Sequence, residues 1–200
     1  MESSSHLTSI DVIASALEPV MPAVSRVSSP DGAVTLMLSD IADAEARAGE
    51  MGPERWEHLL RDHHMLVDRL VAHHDGEVVK VERDGFLATF ASAHGGLHAA
   101  VELQRTFSGS GAGGESEALA LRIGMHSGFL ITDSDQQLLG RNVVLAARIA
   151  ALAKAGTILI SSTLKQYTEG DPSFEFELQG EFRFKGLLGE HTVYGVSWPP

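Results

Sequence analysis

Two aspartates stand where buried strands would deliver carboxylates to one end of a sheet. Val34-Thr35-Leu36-Met37-Leu38-Ser39-Asp40-Ile41 is an apolar, β-like run whose Asp40 comes just before a helical stretch. Val79-Lys80-Val81-Glu82-Arg83-Asp84-Gly85-Phe86-Leu87-Ala88-Thr89-Phe90 reads as two short strands about a tight turn, with apolar residues alternating on both sides. Asp84-Gly85 is placed in that turn, because glycine takes φ > 0 without steric cost. Alone, an Asp-Gly pair marks only a turn. Two carboxylates at the ends of two buried strands can converge on a pair of hard cations. Oxygen ligands of this kind suit Mg²⁺ or Mn²⁺ held together with a phosphorylated substrate.

The elements that must position these residues follow from periodicity and punctuation. A first strand is expected over 33–39, then a helix from Pro53, a residue suited to a first turn, to the stop at Asp75-Gly76. Trp56, Leu59, Leu60, Val67, Leu70 and Val71 form its apolar stripe, and His63-His64 and His73-His74 are read as solvated or capping histidines. Ser92 caps a second helix through Phe107, and the Gly/Ser-rich stretch 108–116 is a loop. Leu119–His126 is a strand, with 128–132 returning against it. A helix over 140–154, a strand at 157–160, a short helix at 162–168 and two or three strands between Phe174 and Trp198 complete the chain. The order is β-α-β-β-α-β followed by a helix and further strands. It specifies an α+β fold with a ferredoxin-like βαββαβ core, an antiparallel-rich sheet with helices on one face.

Residues 1–30 read as an N-terminal appendage and linker, and 31–198 as the domain proper. In the appendage Leu7, Ile10, Ile13, Leu17 and Met21 recur at helical spacing, interrupted by Pro19 and Pro22. This is a short helix for packing on the domain or its partner. A net charge of -12 argues against nucleic acid or an anionic membrane surface as the partner, but not against a small anion bound through a metal. The 200 residues contain no cysteine, which excludes disulfides and thiolate metal sites and fits a cytoplasmic protein. No apolar run is long enough to span a membrane, and no secretory signal opens the chain.

Five stretches, taken together and in order, are similar to the class III nucleotidyl (adenylate/guanylate) cyclase catalytic domain. They are 35–41, 77–86, Arg122-Ile-Gly-Met-His-Ser-Gly128, Leu139-Gly140-Arg141-Asn-Val-Val144-Leu-Ala-Ala-Arg148, and Phe184-Lys185-Gly186-Leu187. The resemblance covers about residues 33–197. It implies a head-to-tail homodimer with composite sites at the interface. In such a site Asp40, the backbone carbonyl of Ile41, and Asp84 of one subunit hold two divalent ions, Mg²⁺ or Mn²⁺. One ion lowers the pKa of the substrate 3′-hydroxyl and the other holds the triphosphate. The 3′-oxygen then attacks the α-phosphorus in line and pyrophosphate leaves. The other subunit would supply Lys80, Gln137, Val144 and Arg148. Lys80 matches the base-reading lysine, whose ammonium donates to adenine N1, and so favours ATP over GTP. Gln137 falls where the adenine amino group is read. Arg148 matches the arginine that stabilises charge on the phosphates, and Lys185 lies near the triphosphate-binding lysine.

The chain departs from that pattern at three positions. Val144 replaces the transition-state asparagine, and loss of one preorganised donor typically costs about 10²–10³ in turnover. Asp43 stands where the family places glycine in the phosphate-cradling turn. Arg83 replaces the glycine before the second metal aspartate. Two readings follow. One is an adenylate cyclase of low activity, converting ATP to cyclic AMP and pyrophosphate. The other is a catalytically impaired, cyclase-like nucleotide-binding or regulatory module, completed in one version by a heterodimer with another cyclase subunit.

Overall fold

The structure, a computed structural model, describes residues 8–15, 32–110, 118–129 and 136–198, with side chains at 110 and 136–139 left out. In chain order the elements are α1 (Ser9–Ser15), β1 (Ala33–Ile41), α2 (Ala44–Met51), α3 (Pro53–His73), β2 (Gly76–Glu82), β3 (Gly85–Phe90), α4 (Ala93–Arg105), β4 (Leu121–Phe129), α5 (Gln136–Leu152), β5 (Thr157–Ser161), α6 (Ser162–Thr168), β6 (Glu175–Phe182) and β7 (His191–Ser197). Pro53 opens α3 and Ser92 accepts from Gly95 N to cap α4, as the sequence requires. Leu7, Leu17, Met21, the two prolines, the 28–31 part of the linker and most of the 108–116 loop fall outside the described residues.

One sheet in the order β2-β3-β1-β4-β5-β7-β6 organises the molecule. β3 lies antiparallel between β2 and β1, and β4 is antiparallel to β1 on its other side, the strand order of a ferredoxin-like core. β1 and β4 pair along their whole length, from Ala33↔Phe129 to Ile41↔Leu121. Gly128 and Phe129 therefore continue β4 instead of starting a return strand, because they complete the pairing with Val34 and Ala33.

Strict alternation along β1 divides the core in two. Met37 and Ile41 point to one face, where α3 and α4 bring Val67, Val71, Leu97 and Leu103. Val34, Leu36 and Leu38 point to the other, covered by Ile10 and Ile13 of α1 and by Val143, Ala146 and Ala150 of α5. Helices of the ferredoxin-like core thus keep to one face, while α1 and α5 close the second. Gly124 sets how closely α5 lies on β4: a Cβ there would come 2.1 Å from the Ala150 backbone nitrogen.

His63 is not solvated. It lies at 2% exposure in the first core, with its ring 4.8 Å from that of Phe107 and 6.3 Å from that of Phe86, and neither ring nitrogen has a hydrogen-bond partner among the described residues. The α3 stripe is wide enough to take position 63 inward between Leu60 and Val67, which a count of aliphatic residues alone misses. Its neighbour His64 is hydrogen-bonded to the Arg83 backbone, and His74 caps α3 and meets Glu102 at 2.6 Å. His126 is also buried, between Ser161 (2.8 Å) and Asn142 (3.2 Å).

Burial pushes the His63 imidazole down to about 3 and that of His126 to about 4, both from an ordinary 6.5. Below 6.5 the unfolded chain takes up protons that the native state refuses, so stability is lost as pH falls from 6.5 toward these values. At about pH 5 this amounts to roughly 2 kcal/mol for each histidine. Urea unfolding at pH 7.5 and pH 5 is expected to show His63→Phe losing about 2 kcal/mol less than the parent between the two conditions.

Candidate active site

Asp40 is the next-to-last residue of β1, on the same side of the sheet as Leu38, and is 1% exposed. A carboxylate so placed needs compensation, and strand register supplies it. Asp40 pairs with Arg122 across β1 and β4, and the guanidinium grips both carboxylate oxygens, Nε donating to Oδ1 at 2.7 Å and Nη2 donating to Oδ2. Burial nevertheless raises the Asp40 carboxyl above its usual range. Arg122 opposes that shift, and the nearby charges of Asp84 and Asp11 add to it.

The second aspartate arrives on the β2–β3 hairpin. Glu82 pairs with Gly85, so the two central residues of the turn are Arg83 and Asp84, and Gly85 is the first residue of β3. The residue with positive φ is Arg83, at 52°, not Gly85. An Asp-Gly pair is assigned to the turn by its composition, yet the pairing register moves it by one position. Gly85 matters for close approach instead: a Cβ there would lie 3.6 Å from Asp40 Cβ and 2.8 Å from Ser9 Cβ. Asp40 and Asp84 therefore stand side by side at one end of the sheet, and Asp84 Oδ1 accepts from Ser9 Oγ at 2.5 Å.

Asp43 and Arg83 stand where the resemblance expects glycine, and both have left-handed backbone, at φ 57° and 52°. The turns thus keep the conformation that glycine adopts freely. Asp tolerates it, whereas Arg pays roughly 1–2 kcal/mol for it. Asp43 is exposed, precedes α2 and makes no side-chain capping bond. Ile41 ends β1 with its side chain in the first core.

A bulge decides where Lys80 points. Val78 pairs with Ala88 and Lys80 with Leu87, leaving Val79 as the extra residue. The shift turns Lys80 to the face of Leu87, the one that carries Asp40. Arg148 lies on α5 over that same face, one turn beyond the half-buried Val144, with Nη1 3.8 Å from Asp11 Oδ1. Lys185 is exposed in the connection after β6, flanked by Phe184 and Leu187, which pack against Leu145 and Ile149 of α5. One copy of the chain brings Asp40, Lys80 and Arg148 to a common face, with Asp84 beside Asp40 at its end. Gln137 is in α5, its side chain outside the described residues.

Three contributors carry no signal of their own in the sequence. Arg122 lies within a family-like motif, and its partner follows only from the β1–β4 register. Ser9 and Asp11 reach the site from the N-terminal helix, and no spacing to Asp84 or Arg148 signals that contact. Among the described residues no helix is long and apolar enough to cross a membrane.

The model of the adenylate and guanylate cyclase catalytic domain matches residues 27–197. The chain belongs to this family, and its domain is a class III nucleotidyl cyclase domain. A Rhizobium meliloti (strain 1021) protein described as "Putative adenylate cyclase 3" is 32% identical over 147 residues, 73% of this chain and 23% of that protein. The fold superposes on the adenylyl cyclase CyaB from P. aeruginosa with a TM-score of 0.71 at 20% identity, covering 84% of this chain and 95% of that one. It superposes equally on the guanylate cyclase domain of RhGC from Catenaria anguillulae in complex with GTP, TM-score 0.70 at 20% identity, covering 85% and 98%. The chain spans 23% and 56% of the length of the first curated relatives it matches.

The Asp40–Arg122 pair gives an asymmetric expectation. Arg122→Leu strands a carboxylate that is 1% exposed and should cost about 3–5 kcal/mol in urea unfolding. Asp40→Asn leaves a guanidinium whose side chain is 28% exposed and can turn to water, so its cost should be clearly smaller.

Proposed function

We propose that the chain is an adenylate cyclase of low activity, working as a homodimer with composite sites. The observation that carries the proposal is the side-by-side placement of Asp40 and Asp84 at one sheet end, with Lys80 turned to the same face by the bulge. The donor set fits hard divalent cations. Burial raises the Asp40 carboxyl and the nearby charges of Asp84 and Asp11 add to the shift, while a carboxylate has about four lone-pair sites, so two remain at Asp40 after Arg122 has taken its share. Asp40, Asp84 and the Ile41 carbonyl would hold Mg²⁺ or Mn²⁺, which when bound supplies Lewis acidity toward the 3′-hydroxyl and the triphosphate.

The chain's own residues divide the remaining work. Arg122 fixes the orientation of Asp40. Lys80, an obligate donor, suits adenine N1, an acceptor, and disfavours guanine, whose N1 is itself a donor. Arg148 would offset charge developing on the phosphates. Lys185 would bind the triphosphate, with Gln137 toward the base. Membership of the family supports a composite site, with Asp40 and Asp84 of one copy facing Lys80 and Arg148 of the other, so dimerisation would be a condition of activity. The relatives point to both bases, adenylate cyclases alongside a guanylate cyclase domain with GTP, so the choice of ATP rests on Lys80.

A second reading is favoured by one residue. Val144 offers no donor on the face that Arg148 occupies, which is what a nucleotide-binding module without useful turnover would show. Cyclic nucleotide formation from ATP and from GTP with Mn²⁺, over a range of protein concentration, separates the two. The cyclase should yield cyclic AMP that rises more than linearly with protein and disappears in Asp84→Ala, and Val144→Asn should raise turnover by about 10²–10³. No cyclic product from either nucleotide in the parent or in Val144→Asn, with the dimer intact, would leave the binding module standing.

A further inference from the structure

α1 has no part in the chemistry proposed above, yet it touches both charged halves of it. Ser9 Oγ donates to Asp84 Oδ1 at 2.5 Å. Asp11 uses Oδ2 to accept from the Thr8 amide and hydroxyl, closing a capping box, and this leaves Oδ1 3.8 Å from Arg148 Nη1. The Arg148 Nε is buried and has no hydrogen-bond partner among the described residues. The backbone makes room for the contact, since only the missing side chain of Gly85 lets Ser9 approach. Ile10 and Ile13, 1% and 0% exposed, fasten the helix to Leu36, Leu38, Leu87 and Val143.

The substitutions are chemically matched. Asp84 receives a hydroxyl donor where a cation would bind, and Arg148 receives a carboxylate where a phosphate would bind. We propose that α1 is a plug in cis: docked, it closes the Asp84 and Arg148 half-sites of its own chain, and binding of metal with nucleotide, or pairing with a second copy across that face, requires it to leave. The inference rests on the two-metal site described above. A part-exposed ion pair at 3.8 Å holds weakly, so docking is carried mainly by the two isoleucines, and they are the place to release it.

The test is made on the full chain, with Mn²⁺ alone as the probe and free Mn²⁺ read by electron paramagnetic resonance. In parallel, sedimentation velocity gives the dimer fraction and hydrogen exchange follows residues 9–15. Ile13→Asp should undock α1, remove its amide protection, tighten Mn²⁺ binding about tenfold if the parent site is open one time in ten, and bring dimers to lower protein concentration. Should Ile13→Asp misfold, Ser9→Ala combined with Asp11→Asn keeps the apolar face and the capping oxygen, and should tighten Mn²⁺ binding about threefold. Equal Mn²⁺ affinity and equal dimer fraction in parent and variants, with Mn²⁺ binding still lost in Asp84→Ala, would overturn the plug and leave the metal site standing. Mn²⁺ binding that is absent throughout, or indifferent to Asp84→Ala, would overturn the metal site and the plug with it.

Discussion

Removing the Asp40 carboxylate from water is the constraint around which this end of the molecule is arranged. A charged group at 1% exposure survives only with a partner of fixed geometry, and the Arg122 fork is that partner. The fork exists because β1 and β4 pair in one register, with Asp40 opposite Arg122; a slip of one residue would put the two charges on opposite faces. Register is in turn held by the two apolar faces of β1, each filled by its own helices. The geometry of the candidate site and the packing of the core are therefore not separable here. The strand that buries Leu36 and Leu38 on one face and Met37 on the other is also what aims the carboxylate.

Elements governed by local signals can be read directly from the chain. β1, the α3 start at Pro53 and the Ser92 cap were legible because each depends on a local signal: an apolar run, a fixed φ, a side chain that accepts from the first turn. The ordered motifs made the family legible. What the chain hid depends on partners distant in sequence. The end of β4 is set by pairing with Ala33 and Val34, the burial of His63 by Phe86 and Phe107, and the role of Arg122 by its cross-strand neighbour. Composition points to Asp84-Gly85 as the hairpin turn, whereas register centres it one residue earlier and puts Arg83 in the left-handed position.

Asp43 and Arg83 also show how a family pattern can be kept in backbone while lost in residue type. Both hold φ values that glycine adopts without strain, so the turns that carry the two aspartates retain their path. Changed chemistry at these positions is added to an unchanged frame. Arg83 is further braced from below, where His64 of α3 is hydrogen-bonded to its backbone.

The central position of β1 has a consequence for how the chain comes to be folded at all. β1 precedes the other strands of the sheet in chain order, yet its neighbours are β3 on one side and β4 on the other, so Ala33 must wait for Phe129 before its second edge is covered. Pairings so distant in sequence form slowly, because the intervening chain must be closed into a loop first. Until then a strongly apolar strand has an open edge, which is a template for self-association. The docking ground for α1 is built from β1, β2, β3 and α5, so a helix that precedes all of them in sequence can settle only after they have come together.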